Sequence, residues 1–431
     1  MSELEERHRA VMPDWMGLYY DDPIEIVRGS GSRVTDASGR TYLDFFCGIL
    51  TNMLGYDVPE VREAVERQLA TGVVHTSTLY LIRSQVELAE KLARLSGIPG
   101  AKVFFTNSGT EANETALMLA TAARRSGQVL AMRNSYHGRS FGAVAITGNV
   151  AWKSSPLAPF TVHYLHGTDQ DLPAFARLSS DQYIEAAVAD LRHLLRMAGP
   201  EVACLIAEPV QGVGGFTMPP DGLYGAYQRV LAEHGILFIA DEVQTGWGRT
   251  GEHFWGISAH GVVPDMITFA KGLGNGFVIG GVIARGDLMD GLPGNGISTF
   301  GGNPLSTTAA NATLDYLLHH DLQRNAAVLG TMIIEGLREA AAPLASAGAV
   351  RGKGLMFAVD LVDPATGRPS PALAARVLAG TRARGLLIGK GGLYGHALRM
   401  APPMTLTEAE AKEGLGILAD TLRAVAAEVT R

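Results

Sequence analysis

The sequence predicts an α/β fold, with a large domain around a mostly parallel sheet covered by helices and a smaller α+β domain built from both ends of the chain. Three observations lead there. Short β-rich runs ("KVFFTN", "VLAMRN", "VACLIAEPV", "ILFIADEV", "MITFAKG", "GGVIARG") alternate with stretches that carry apolar residues at helical spacing. Strands interleaved with helices build a parallel sheet with both faces covered. Residues 24–47, "IEIVRGSGSRVTDASGRTYLDFFC", alternate in polarity around turn signals at Gly29–Gly31 and Ala37–Gly39, the pattern of a small antiparallel strand set. Finally, 431 residues exceed what one simple core accommodates.

Taken in order, residues 1–60 form the N-terminal segment of the small domain. Helical periodicity begins near residue 60 with "VREAVERQLA" and continues in "SQVELAEKLARL". The alternating runs then define the large domain over 61–315. Beyond it the chain is rich in helix and alanine before turning mixed again ("GLMFAVDLV", "GLLIGKGG", "ALRMAPP"), and 316–431 becomes the C-terminal part of the small domain. There is no internal repeat and no long linker.

Composition narrows the function classes. The chain is 47% hydrophobic and 18% charged, ordinary for a globular protein, and its net charge of −7 without a basic run argues against nucleic acid or an anionic membrane as partner. Two cysteines, Cys47 and Cys204, do not build a disulfide framework. No apolar run approaches the roughly 18 residues that span a bilayer. The polar, acidic start "MSELEERHRA" is unlike a targeting signal, so a cytoplasmic location is expected.

In folds of this type functional residues follow the C-terminal ends of strands, and four such places stand out. In "FFTNSGTEAN" a strand ends at Thr106–Asn107 and a helix begins near Thr110. Small residues at Ser108–Thr110 let backbone N–H groups and the helix dipole meet an anion; Ser108 and Glu111 alone also read as a capping box. In "RNSYHGRS", Tyr136 and His137 offer an aromatic face to a flat ligand, or simply pack the loop. In "AEPVQG" and "LFIADEVQTG", Glu208 and Asp241 each end an apolar run. Carboxylates so placed need a partner, either a metal or an organic cation. A metal wants more ligands, and His253 and His260 stand at no metal-binding spacing, so no metal is expected. In "DMITFAKGLGNG", Lys271 ends another apolar run. Poor solvation there lowers an amine's pKa and prepares a nucleophile, although an isolated lysine also snorkels to water. "GLGNG" lacks the spacing of a dinucleotide loop. Together, a phosphate cradle, a ring face, a carboxylate for a ring nitrogen and a lysine for an aldehyde describe pyridoxal 5′-phosphate.

"NSGTEAN", "YHGRS", "AEPVQG", "ADEVQTGWGRTG", "TFAKGLGNG" and "STFGGNP" stand in the order and spacing of class III pyridoxal-phosphate aminotransferases of fold type I, which the chain resembles over nearly its whole length. It is most similar to the alanine–glyoxylate type 2 branch through "EPVQGVGG", "HTSTLYL" and "LRMAPPMTLT". The resemblance implies Lys271 as Schiff-base lysine and proton shuttle, and Asp241 as partner of the pyridinium nitrogen with Glu208 supporting it. Tyr136 and Val243 would take the two ring faces, Gln244 the ring hydroxyl, and Ser108, Gly109 and Thr110 the phosphate. Thr299 would reach the neighbouring subunit's phosphate, making a homodimer part of the site. Arg399 would clamp a substrate carboxylate. The implied reaction is ping-pong transfer of an amino group from an amine or amino acid to a small 2-oxo acid. The alternative is a racemase, epimerase or decarboxylase using the same cofactor.

Two departures from the family pattern matter. Val213 stands where many ω-aminotransferases carry a glutamate able to neutralise the carboxylate-binding arginine. An unmasked Arg399 favours acceptors such as pyruvate or glyoxylate. "GYDVPEV" (55–61) replaces the usual Gly-His-x-His-Pro, placing Tyr56 and Val58 at the histidine positions. That change reads as structural drift rather than as the mark of an unusual amine donor.

Overall fold

The computed structural model describes residues 2–169, 172, 174–199 and 201–429. Three sheets organise it. The central one has seven strands: β4 (Ala101–Thr106), β5 (Gln128–Met132), β6 (Thr161–Leu165), β7 (Val202–Ala207), β8 (Leu237–Asp241), β9 (Met266–Phe269) and β10 (Gly280–Arg285). Their spatial order is β4-β10-β9-β8-β7-β5-β6. Every neighbouring pair is parallel except those made by β10, which runs antiparallel to both β4 and β9. Every residue of β7, β8 and β9 is buried, which explains why these strands read as unbroken apolar runs rather than as alternating ones.

The chain ends meet in a second sheet. Strands β1 (Ile26–Ser30), β2 (Arg33–Asp36) and β3 (Thr41–Asp44) form the expected antiparallel meander. The two-residue strand β13 (Leu386–Leu387) then adds in parallel to β3, with Leu386 opposite Leu43. A third sheet, in the order β11-β12-β15-β14, comprises β11 (Ala347–Lys353), β12 (Met356–Leu361), β14 (Gly389–Gly391) and β15 (Ala397–Met400). Its strand β15 is fully buried and carries Arg399.

The helix Gly109–Arg124 connects β4 to the site. Ala112, Asn113, Ala116, Leu117 and Ala120 recur at helical spacing and are buried, so the helix lies close on the sheet. Ser108 caps it by accepting a hydrogen bond from the Glu111 amide at 3.3 Å. Glu111 accepts from the Asn107 amide (2.8 Å) instead of from the amide of the cap residue itself, so the alternative reading of Ser108 and Glu111 as a capping box is half met. Among the described residues no helix is long and apolar enough to cross a membrane.

Candidate active site

The C-terminal ends of β4, β5, β7, β8 and β9 deliver their residues to one cavity of about 220 Å³. Gly109, Thr110, Tyr136, Glu208, Asp241, Val243, Gln244 and Lys271 line it, together with Asn113, His137, Gly138 and Arg139. Ser108 lies outside the lining and uses its hydroxyl as the helix cap. Thr299 is exposed and is not among the lining residues; Arg399, on β15, also lies outside the lining but its charge acts on Lys271.

Asp241 terminates β8 and is 4% exposed. Its Oδ2 accepts from the Asn113 amide nitrogen and from His137 Nδ1, both at 2.8 Å, and its Oδ1 accepts from the Val243 amide at 3.2 Å. Asn113 is itself held, since its Oδ1 takes the Thr268 hydroxyl and its nitrogen also donates to the His137 carbonyl. The carboxylate is therefore aimed by a rigid set of donors, and His137 keeps its proton on Nδ1. Sequence reasoning missed Asn113, the cavity-facing Arg139 and this use of His137. The available signal for Asn113 was its place one helical turn beyond Thr110, on the same face.

Glu208, just past β7, accepts from the amides of Tyr136 and Gly212, each at 2.8 Å. Burial pushes its carboxyl up to about 7. Lys271 follows β9 with φ of 47°, a left-handed conformation that costs an L-residue about 1–2 kcal/mol. Such strain is concentrated where a side chain must be aimed. Burial lowers its ammonium pKa, while Asp241 and Glu208 pull it back up and Arg399 lowers it further. The result is an amine poised for attack and for carrying a proton.

The residues present fit pyridoxal phosphate by their own chemistry. The N–H groups of Gly109 and Thr110 open a helix and have no intrahelical carbonyl to bond. A Cβ on Gly138 would collide with Thr110, so that wall of the cavity closes only on glycine. Gln244 Oε1 and His137 Nε2 are buried without a protein partner, leaving an acceptor for a ring hydroxyl. Tyr136 stands edge-on to Trp152, with centroids 5.5 Å apart. Val243 packs on the first turn of the helix, within 3.0 Å of where a Gly109 Cβ would lie. Among the described residues no cluster of His, Cys, Asp or Glu is arranged to hold a metal.

Arg399 is 3% exposed. Its Nε donates to the Lys390 carbonyl at 3.1 Å and its Nη1 to the Gly212 carbonyl at 2.7 Å. The guanidinium carbon lies 5.5 Å from the Phe46 centroid and 5.4 Å from that of Phe216, a cation–π sandwich. Carbonyls and rings orient this charge, and the Tyr19 side chain and the Glu208 carboxylate offset part of its desolvation. Val213 brings no carboxylate to the loop, and burial lowers the pKa of Arg399.

Glu242 is not idle, although the alternation of a strand correctly turns it away from Asp241. It is fully buried and accepts from the Thr245 hydroxyl and the amides of Gly256 and Ile257, which ties the loop after β8. Burial raises its pKa to about 7. With an unfolded value of about 4.3, the folded state binds the extra proton between those limits, so this stabilising protonation is lost as pH rises toward 7. Glu242→Gln titrates nothing there. Its stability deficit against the parent, measured by urea unfolding, is expected to shrink between pH 5 and pH 8; a deficit that stays constant would contradict the assignment.

Comparison with known proteins decides the family. The model of class III aminotransferases matches residues 19–422. The chain belongs to the class III aminotransferases. It is 38% identical over 413 residues to an alanine–glyoxylate aminotransferase 2 homologue, mitochondrial, from Arabidopsis thaliana, covering 95% of this chain and 84% of the relative. It is 39% identical over 411 residues to the acetylornithine aminotransferase of Mycolicibacterium smegmatis, covering 94% and 95%. Among solved structures, a phospholyase from Arthrobacter in complex with phosphoethanolamine superposes with a TM-score of 0.88 at 34% identity, over 98% of this chain and 100% of that one. This class III aminotransferase is thus a fold type I enzyme that uses pyridoxal phosphate.

When bound, the cofactor supplies an electron sink for charge developing on the substrate carbon. The chain's own part is to bind and aim. Lys271 brings a desolvated amine to the cavity from the end of β9, and Asp241 brings a carboxylate aimed by Asn113 and His137 from the end of β8.

Proposed function

We propose that the enzyme moves an amino group from an α-amino acid or amine donor to a small 2-oxo acid, with pyruvate or glyoxylate favoured, by ping-pong kinetics through Lys271. The observation carrying this reading is Arg399, held by two carbonyls between two rings and lacking the masking carboxylate that Val213 replaces. A cation held open in this way recognises the oxo acid by its carboxylate, and an amino acid donor in the same way. The test is turnover with and without an acceptor. A transaminase stalls after one turnover and resumes on adding pyruvate or glyoxylate, whereas an epimerase or decarboxylase of the same fold continues without acceptor. Phosphate release from phosphoethanolamine with no oxo acid present would place the enzyme with the phospholyase and overturn the reading.

A homodimer belongs to the same proposal. Thr299 lies between exposed Ile297 (62%) and Phe300 (59%), and Leu79, Tyr80 and Leu81 are also exposed. His75 stacks on Phe300 at 4.7 Å and joins the two segments into one apolar surface. A second copy covering it would bring Thr299 to the partner's phosphate site. Sedimentation giving a monomer at assay concentration would remove this part of the proposal.

A further inference from the structure

Tyr56 replaces a histidine of the family pattern, and the structure gives it definite work. Its backbone exchanges two hydrogen bonds with Gly31, each 2.8 Å, at the β1–β2 turn. Its ring lies against Gly29, where a Cβ would come within 2.6 Å of it, so this aromatic is accommodated by a glycine on the neighbouring strand. Its hydroxyl donates to Asp44 Oδ2 at 2.6 Å. Asp44, at the end of β3, is 4% exposed. Its other oxygen accepts from the amides of Phe46 and Cys47 at 2.8 and 2.9 Å.

Those two amides enter an unusual turn. Cys47, Gly48, Ile49 and Leu50 all have positive φ, between 52° and 65°. A run of left-handed residues, three of them non-glycine, persists only when its surroundings over-determine it. The turn touches the site at both ends. At its start, the Phe46 ring forms one face of the Arg399 sandwich. At its end, the Thr51 carbonyl accepts from the Gly276 amide at 3.2 Å, and Asn275 accepts from the Leu54 amide at 2.8 Å and donates to the Gly55 carbonyl at 3.2 Å. Residues 275 and 276 close the short turn that begins at Lys271.

We propose that Tyr56 is a positioning residue for the substrate-carboxylate clamp. Its hydroxyl fixes Asp44, Asp44 fixes the left-handed turn, and the turn sets the Phe46 ring against Arg399 and the wall beside the Lys271 turn. The proposal rests on the reading that Arg399 meets the substrate carboxylate, and it makes residue 56 a determinant of oxo-acid affinity without touching substrate.

Tyr56→Phe in the holoenzyme keeps the ring on Gly29 and the bridge to Gly31, and removes the hydroxyl with its bond to Asp44 and its interaction with Asn52. The expected result is a KM for pyruvate raised about tenfold, the scale of one hydrogen bond to a charged group, with kcat within about twofold. Amide exchange over residues 45–51 should accelerate, while exchange in β4 and β8 stays unchanged. Asp44→Asn should act in the same direction, and the double variant should be no worse than the stronger single one, because both act on one chain of contacts. If Tyr56→Phe does not accumulate as folded protein, Asp44→Asn carries the same measurements. Unchanged KM overturns the proposal, whether or not exchange accelerates. Additive losses in the double variant overturn it too, as does a fall of kcat and cofactor content in step with the change in KM, which would mark general support of the fold. If the parent enzyme shows no oxo-acid turnover, the transamination reading fails by itself. Unchanged exchange in the variant would then overturn the role of Tyr56 independently.

Discussion

Lys271→Ala will retain the fold yet lose turnover by at least about 10²–10⁴-fold, the range spanned by a positioned acid–base group alone. β9 is buried throughout, and the chain leaves it in a left-handed conformation at Lys271, which turns the side chain into the cavity instead of along the sheet. The amine there is desolvated and its pKa lowered, with Asp241, Glu208 and Arg399 as the charges that modulate it. Borohydride reduction of the holoenzyme should therefore trap the cofactor on Lys271, read by peptide mass spectrometry. Label on another lysine would displace the site. Added small amines should restore part of the activity of Lys271→Ala, because the proton-carrying role is separable from tethering.

Asp241→Asn will still bind the cofactor, while turnover falls by about 10²–10³-fold, the scale of losing one preorganised electrostatic partner. The substitution is isosteric but not neutral. Oδ2 accepts from Asn113 and His137, and Oδ1 accepts from the Val243 amide. Whichever way the new amide turns, its nitrogen replaces an acceptor and faces a donor. Positive charge at the end of β8 then loses its counter-charge. The checks are the single-turnover rate and the pH dependence of the visible absorption band. Near-parental rates would show that the charge on this carboxylate is dispensable.

The sequence was legible wherever a charged residue ends an apolar run. Lys271, Asp241 and Glu208 stand at such ends because strands buried on both faces tolerate charge only at their exits. The layered sheet was legible for the same reason. The antiparallel insertion of β10 was not, since "GGVIARG" has the same composition in either direction. Asn113, Phe46 and Phe216 were also hidden. Each acts through a partner more than 100 residues away in sequence, and side-chain spacing along one segment carries no record of such a meeting. Glu242 shows the limit differently: alternation correctly turned it away from Asp241 but did not reveal the hydrogen bonds that occupy it.

The pairing of β3 with β13 has a consequence for how the molecule is made. Arg40 bonds to the Ala383 carbonyl across a separation of 343 residues, alongside the strand pair that joins Leu43 to Leu386. At a synthesis rate of about 5–20 residues per second, the N-terminal meander waits on the order of tens of seconds before its last strand leaves the ribosome. Until then β3 presents an open edge, the kind that pairs with other chains, and β15, which carries Arg399, is still unmade. Closing the sheet around β3, and placing Arg399 next to Phe46, are therefore late events in the life of each nascent chain.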